Sequence, residues 1–123
     1  MSSKVPHTQY AEITAYETKD GSLIRELMHP QHHASKNQSL AEASVPVGIT
    51  TLLHKHNNTE EVYFIAQGEG LMTLGDTQFG VVEGDSIVIE PGTAHCIKNT
   101  GQQLLKILCC CSPAYSHDDT ILL

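Results

Sequence analysis

Three of the chain's eight histidines stand with one glutamate at spacings that suit a shared task. His54 and His56 are two apart, so on a strand both imidazoles project from one face while Lys55 points the other way. Thr50 and Leu52 continue the histidine face. Glu61 follows the turn Asn57-Asn58-Thr59, at the head of the next extended run. If the two runs pair as a hairpin, its carboxylate reaches the same point. His95 comes from a distant segment, after Pro91-Gly92-Thr93-Ala94, a turn able to aim it inward. Three neutral imidazoles and a carboxylate form a coherent donor set for one divalent ion: Mn, Fe, Ni, Co, Cu or Zn. A five- or six-coordinate ion would keep open positions for water, substrate or dioxygen. Counting only the ion and Glu61, the charge is about +1, which suits an anionic or oxygen-rich small molecule. Each residue alone also fits a surface or turn position; only their joint spacing is specific.

Further candidates surround this set. Tyr63 and Ile65 share the Glu61 face and are expected to line an interior. Tyr63 is therefore a candidate catalytic acid or substrate contact, or else a core tyrosine. Arg25, in the apolar run Leu23-Ile24-Arg25-Glu26-Leu27, is a candidate clamp for a substrate carboxylate, or else half of a surface pair. Glu42 reads as a base or an exposed acid. His29, His32 and His33 are expected in a solvated loop and His7 in an N-terminal tail. His117-Asp118-Asp119 reads as a polar tail turn, with a second cation site as the alternative. Asn99 belongs to the turn Asn99-Thr100-Gly101.

These side chains need short extended segments to hold them. Runs rich in Val, Ile, Leu, Thr and Tyr alternate with Gly and Pro punctuation, the pattern of an all-β sandwich or barrel. Extended runs are predicted at 11–16, 22–28, 38–45, 47–55, 61–66, 71–74, 77–82, 86–89, 94–98 and 103–110. A polar loop is predicted over 30–37. Gly75-Asp76 suits a two-residue hairpin and Pro91-Gly92 a type II turn. No segment carries a ten-residue helical period.

Composition narrows the function classes. The 123 residues fit one domain, and 40% hydrophobic against 17% charged residues is a globular balance. Fourteen acids against seven bases give a net charge of −7, with the bases scattered singly. Without a basic patch, nucleic acid and anionic membrane surfaces are not expected partners. No apolar run spans a bilayer, and the first seven residues do not resemble a signal peptide, so a cytoplasmic location is expected. Cys96, Cys109, Cys110 and Cys111 do not form a disulfide framework or a zinc knuckle and read as reduced packing residues.

The stretch Gly48-x5-His54-x-His56-x4-Glu61-x6-Gly68 resembles the first cupin motif. Gly84-x6-Pro91-Gly92-x2-His95-x3-Asn99 resembles the second, with 15 residues between the two. The second departs from the family pattern at Glu90, where a proline is usual; no metal ligand is lost. The segment 111–120 is also similar to small bacterial cupins, some labelled mannose-6-phosphate-isomerase-like. The resemblance implies one cupin domain over 1–123, a double-stranded β-helix (jelly-roll barrel), usually a homodimer. It assigns the metal ligands to His54, His56, Glu61 and His95. It implies a small-molecule protein, an enzyme of isomerase, cyclase or lyase type on an oxygenated or carboxylated substrate. An Fe- or Mn-dependent dioxygenase and a non-catalytic sugar- or carboxylate-binding module are the alternatives, because the family spans many reactions.

Overall fold

The computed structural model describes residues 4–123, so the first three residues of the N-terminal stretch read above lie outside it. Eleven strands form among the described residues: β1 (Tyr16–Glu17), β2 (Leu23–Met28), β3 (Ser39–Val45), β4 (His54–His56), β5 (Glu60–Gln67), β6 (Glu69–Leu74), β7 (Thr77–Val82), β8 (Ser86–Ile89), β9 (His95–Asn99), β10 (Leu105–Ser112) and β11 (Thr120–Leu122). One 3₁₀ turn, Tyr10–Glu12, is the only helical segment among them. None of their helices is long and apolar enough to cross a membrane.

The strands build two antiparallel sheets, β1-β2-β3-β10-β5-β8 and β11-β4-β9-β6-β7. Alternation explains why they face each other. Along β5, Glu61, Tyr63 and Ile65 are buried while Val62 and Phe64 are exposed. Along β10, Leu105, Ile107, Cys109 and Cys111 point in and Cys110 points out. Val45, Ile65, Met72, Ile89, Ile97, Leu105 and Ile107 are almost fully buried and fill the space between the sheets. Each contributes about 1.5–3 kcal/mol of burial. The result is the double-stranded β-helix expected from the motifs.

Two turns place functional strands. Gly75, at φ +59°, opens the two-residue turn joining Leu74 to Thr77, which sets the β6–β7 register. In Glu90-Pro91-Gly92-Thr93, the Thr93 N–H donates to the Glu90 carbonyl at 3.1 Å, and Gly92 sits at φ +83°. This has the form of a type II turn. The turn uses only the Glu90 carbonyl, so the missing motif proline does not disturb it. The Gly92 N–H donates to the His56 carbonyl at 2.7 Å, tying the turn before His95 to β4.

Several expectations are corrected. The predicted run at 11–16 begins with the 3₁₀ turn and is a strand only at Tyr16–Glu17. The predicted run at 47–55 shortens to His54–His56. Pro46 and Gly48, the latter at φ +78°, bend the chain there, and the Ile49 N–H closes a turn onto the Pro46 carbonyl. Residues 49–51 still bond to β9, through Thr51 N–H to the Ile97 carbonyl and Asn99 N–H to the Ile49 carbonyl. His29 is buried, at 7% exposure, rather than solvated. The tail past residue 117 returns as β11 and pairs with β4.

Candidate metal centre

β4 and β9 meet at the pair His54–His95, and His56 lies one inward position along β4. The His54 and His95 ring centroids are 4.1 Å apart, and His56 is 5.3 and 5.4 Å from them. All three rings are buried, and one nitrogen from each lies within 4.8 Å of the others.

The remaining ring nitrogens define which atoms converge. His54 Nδ1 is 2.8 Å from the Leu52 carbonyl and His95 Nδ1 is 3.0 Å from the Thr93 carbonyl. A carbonyl only accepts, so both Nδ1 atoms carry the proton. His56 Nδ1 is 3.0 Å from the Thr120 hydroxyl, whose own proton goes to the Ser116 carbonyl at 2.8 Å. Thr120 therefore accepts from His56 too. Each Nε2 is left with a lone pair, and the buried His95 Nε2 has no hydrogen-bond partner.

Glu61 enters from β5 on the other sheet. Its Oε1 lies 3.2 Å from His56 Nε2 and 3.6 Å from His95 Nε2, and its Oε2 accepts from the Cys111 thiol at 3.3 Å. Burial pushes the Glu61 carboxyl up, but positive charge on the imidazoles beside it, His56 first, outweighs that and holds it at about 2, an effect that a metal ion at the same place would supply. Burial, then the neighbouring His95, pushes His54 below the usual imidazole range. With the rings neutral, the set offers one carboxylate and three lone-pair nitrogens. Two donors on an ion at 2.0–2.2 Å stand roughly 3.0–3.6 Å apart, so the separations of Glu61 from His56 and His95 fit a shared divalent cation, while the nearest carboxylate to His54 Nε2 is Asp20.

Tyr63, the next inward residue of β5, sets its ring edge-on to His95 with centroids 6.1 Å apart. Burial, then the Glu61 charge, pushes its hydroxyl well up, so it keeps its proton. Arg25 is not brought to the site. Ser22, just before β2, and Ile24 and Glu26 on it face the barrel cavity, while Arg25 lies between Ile24 and Glu26 in sequence and opposite Glu42 in register. Its guanidinium pairs with Glu42 at 3.6 Å and lies 5.0 Å over the Tyr10 ring. It is no clamp for a guest in this barrel. Glu42 is buried there, taking the Tyr10 hydroxyl at 2.6 Å, rather than exposed.

The sequence reading missed four neighbours of the site. Asp20, two residues before Ser22, brings Oδ2 to 3.8 Å from His54 Nε2. Glu26 and Asp20 line the cavity beside Glu61 and Tyr63. Tyr115 packs its ring 5.8 Å from His56, and Thr120 holds His56 as described. Asp20 and Glu26 correct the charge of about +1 counted earlier from the ion and Glu61. Two further carboxylates make the surroundings negative.

Comparison with known proteins agrees with this architecture. The family model for the cupin domain matches residues 41–111. An uncharacterized protein of Methanocaldococcus jannaschii is 54% identical over 123 residues, covering 100% of this chain and 98% of its own. The oxalate-binding protein of Thermotoga maritima is 33% identical over 86 residues, 70% of this chain and 67% of that one. A crystal structure from the same organism, described as a predicted oxalate decarboxylase, superposes with a TM-score of 0.74 at 26% identity. It covers 85% of this chain and 96% of that one.

Proposed function

The chain belongs to the cupin family, and from that premise we propose that His54, His56, Glu61 and His95 bind one divalent metal ion and that the protein is an enzyme of isomerase, cyclase or lyase type acting on a small oxygenated molecule. The observation that carries this reading is the approach of one nitrogen from each of three buried imidazoles to within 4.8 Å of one another, each ring held at Nδ1, with the Glu61 carboxylate against two of them. When bound, the ion supplies Lewis acidity toward a substrate oxygen. The chain supplies the rest. Leu52, Thr93 and Thr120 hold the imidazole tautomers, and Cys111 orients Glu61. Tyr63, protonated and inside the barrel, is placed to donate a hydrogen bond to a substrate oxygen.

The similarity to an oxalate-binding protein favours a second reading, capture without turnover. A homodimer belongs to the proposal: Val62, Phe64 and Val88 expose apolar side chains on the outer face of the six-stranded sheet. Elemental analysis of protein purified without chelator should find one equivalent of a divalent metal, lost in His56→Ala. No metal, and no thermal stabilisation by Mn, Fe, Co, Ni, Cu or Zn, would overturn the metal reading. Turnover of a small-molecule panel that disappears in His56→Ala separates enzyme from binding module.

A further inference from the structure

We propose that the cavity beside the metal centre selects an uncharged, hydroxyl-rich molecule, a sugar or nucleoside in chemical class, and disfavours small carboxylates and phosphates, with Glu26 as the specificity-determining residue. The inference rests on the metal-binding reading above and narrows its substrate.

Two chambers meet at Tyr16, Glu26 and Tyr115. The inner one, about 40 Å³, adjoins Glu61, Tyr63 and Asp20 and admits only the end of a molecule, of the size of a hydroxymethyl group. The outer one, about 340 Å³, has room for a ring and is walled by His29, His32, His117 and Asp118. A guest would send one end inward and leave its bulk outside.

The polar groups along this path are unusual in kind. Asp20, Glu26 and Glu61 line the inner chamber, with the hydroxyls of Thr18, Ser22 and Tyr115. Among the described residues, no lysine or arginine lines either chamber. The nearby Lys19 ammonium is turned onto the His117 carbonyl at 2.7 Å and the Thr120 carbonyl at 3.1 Å. Arg25 is held by Glu42 on the other face of its sheet. An anion moving toward the metal would thus pass several carboxylates with no cation to offset them.

Glu26 makes the complementary case. Its Oε1 accepts from the Tyr16 hydroxyl at 2.9 Å, while its Oε2 is buried with no partner. A buried carboxylate oxygen without a donor is costly, and a guest O–H would satisfy it. The wall that repels an anion is therefore the wall that rewards a neutral donor.

The test uses the full chain loaded with Co(II), whose visible spectrum reports ligands reaching the metal, together with calorimetric titration. Probes are the matched pairs glucose and glucuronate, and uridine and uridine monophosphate, plus oxalate. At least one neutral member should bind about tenfold more tightly than its anionic partner. Glu26→Ala should weaken that neutral probe about tenfold. Glu26→Gln should strengthen oxalate about tenfold with Co(II) affinity unchanged. Oxalate or an anionic partner binding wild type as tightly as the neutral probes, an oxalate affinity indifferent to Glu26→Gln, or no response to any neutral probe overturns the inference. Each of those results, on a chain that holds Co(II), leaves the metal reading standing. A chain that takes up no Co(II) overturns both.

Discussion

An imidazole binds a cation only through a nitrogen that carries no proton, so the hydroxyl of Thr120 governs whether His56 is available. Thr120→Val keeps the shape but removes the acceptor for His56 Nδ1–H. Metal affinity should fall about 10- to 100-fold, measured by competition with a chromophoric chelator, while the far-ultraviolet spectrum stays unchanged. The cysteines offer a second residue-scale check. Burial, then the Glu61 charge, pushes the Cys109 and Cys111 thiols well up, and both are shielded. Cys110 faces out. A thiol reagent followed by mass spectrometry should label Cys110 first and spare Cys109 and Cys111 until the chain unfolds. Labelling of Cys111 as fast as Cys110 would contradict the alternation of β10.

At the scale of elements, the C-terminal strand β11 positions the site from outside the two motifs. Asp119 anchors its approach by accepting from the Asn58 and Thr59 backbone N–H groups at 2.9 and 3.0 Å, which fastens the loop between β4 and β5. Asp119→Ala should cost about 1–3 kcal/mol in urea unfolding. It should also weaken metal binding, whereas Met72→Ala, deep in the core, should cost about 2–5 kcal/mol. What sequence made legible divides along the same line. His54-x-His56, the turn before His95 and the Gly75-Asp76 hairpin are local, and period and φ requirements reveal them. The role of β11 was not legible, because His117-Asp118-Asp119 reads as a polar tail turn and the short run after it shows no partner until β4 is placed beside it. Arg25 failed for a sharper reason. Leu23 and Arg25 share one face of β2, and Ile24 and Glu26 share the other, before the register shifts between Glu26 and Met28. Each face carries one charge among apolar residues, so alternation groups them without saying which is inside. The inner face here carries the acid because it borders a cavity rather than packed core.

For the whole molecule, the outer face of the six-stranded sheet exposes apolar side chains from neighbouring strands, with Phe64 at 41% and Val88 at 52% exposure. Sedimentation should give a dimer, and the double substitution Phe64→Asp with Val88→Asp should shift it to monomer. Metal content should survive, since the outward side chains of β5 and β8 do not touch the ligands. A monomeric wild type would remove the dimer from the proposal. A divalent ion at a hundredfold excess over its Kd should add about 2.7 kcal/mol to stability.

His56 and the hydroxyl that fixes its tautomer are 64 positions apart. A ribosome working at about 5–20 residues per second therefore takes on the order of 3–13 s to supply the second after the first. Over that interval the nascent chain carries His54 and His56 as a free pair able to seize whichever soft cation is abundant. On the metal reading proposed above, the complete donor set exists only once β11 is in place, so loading would follow synthesis.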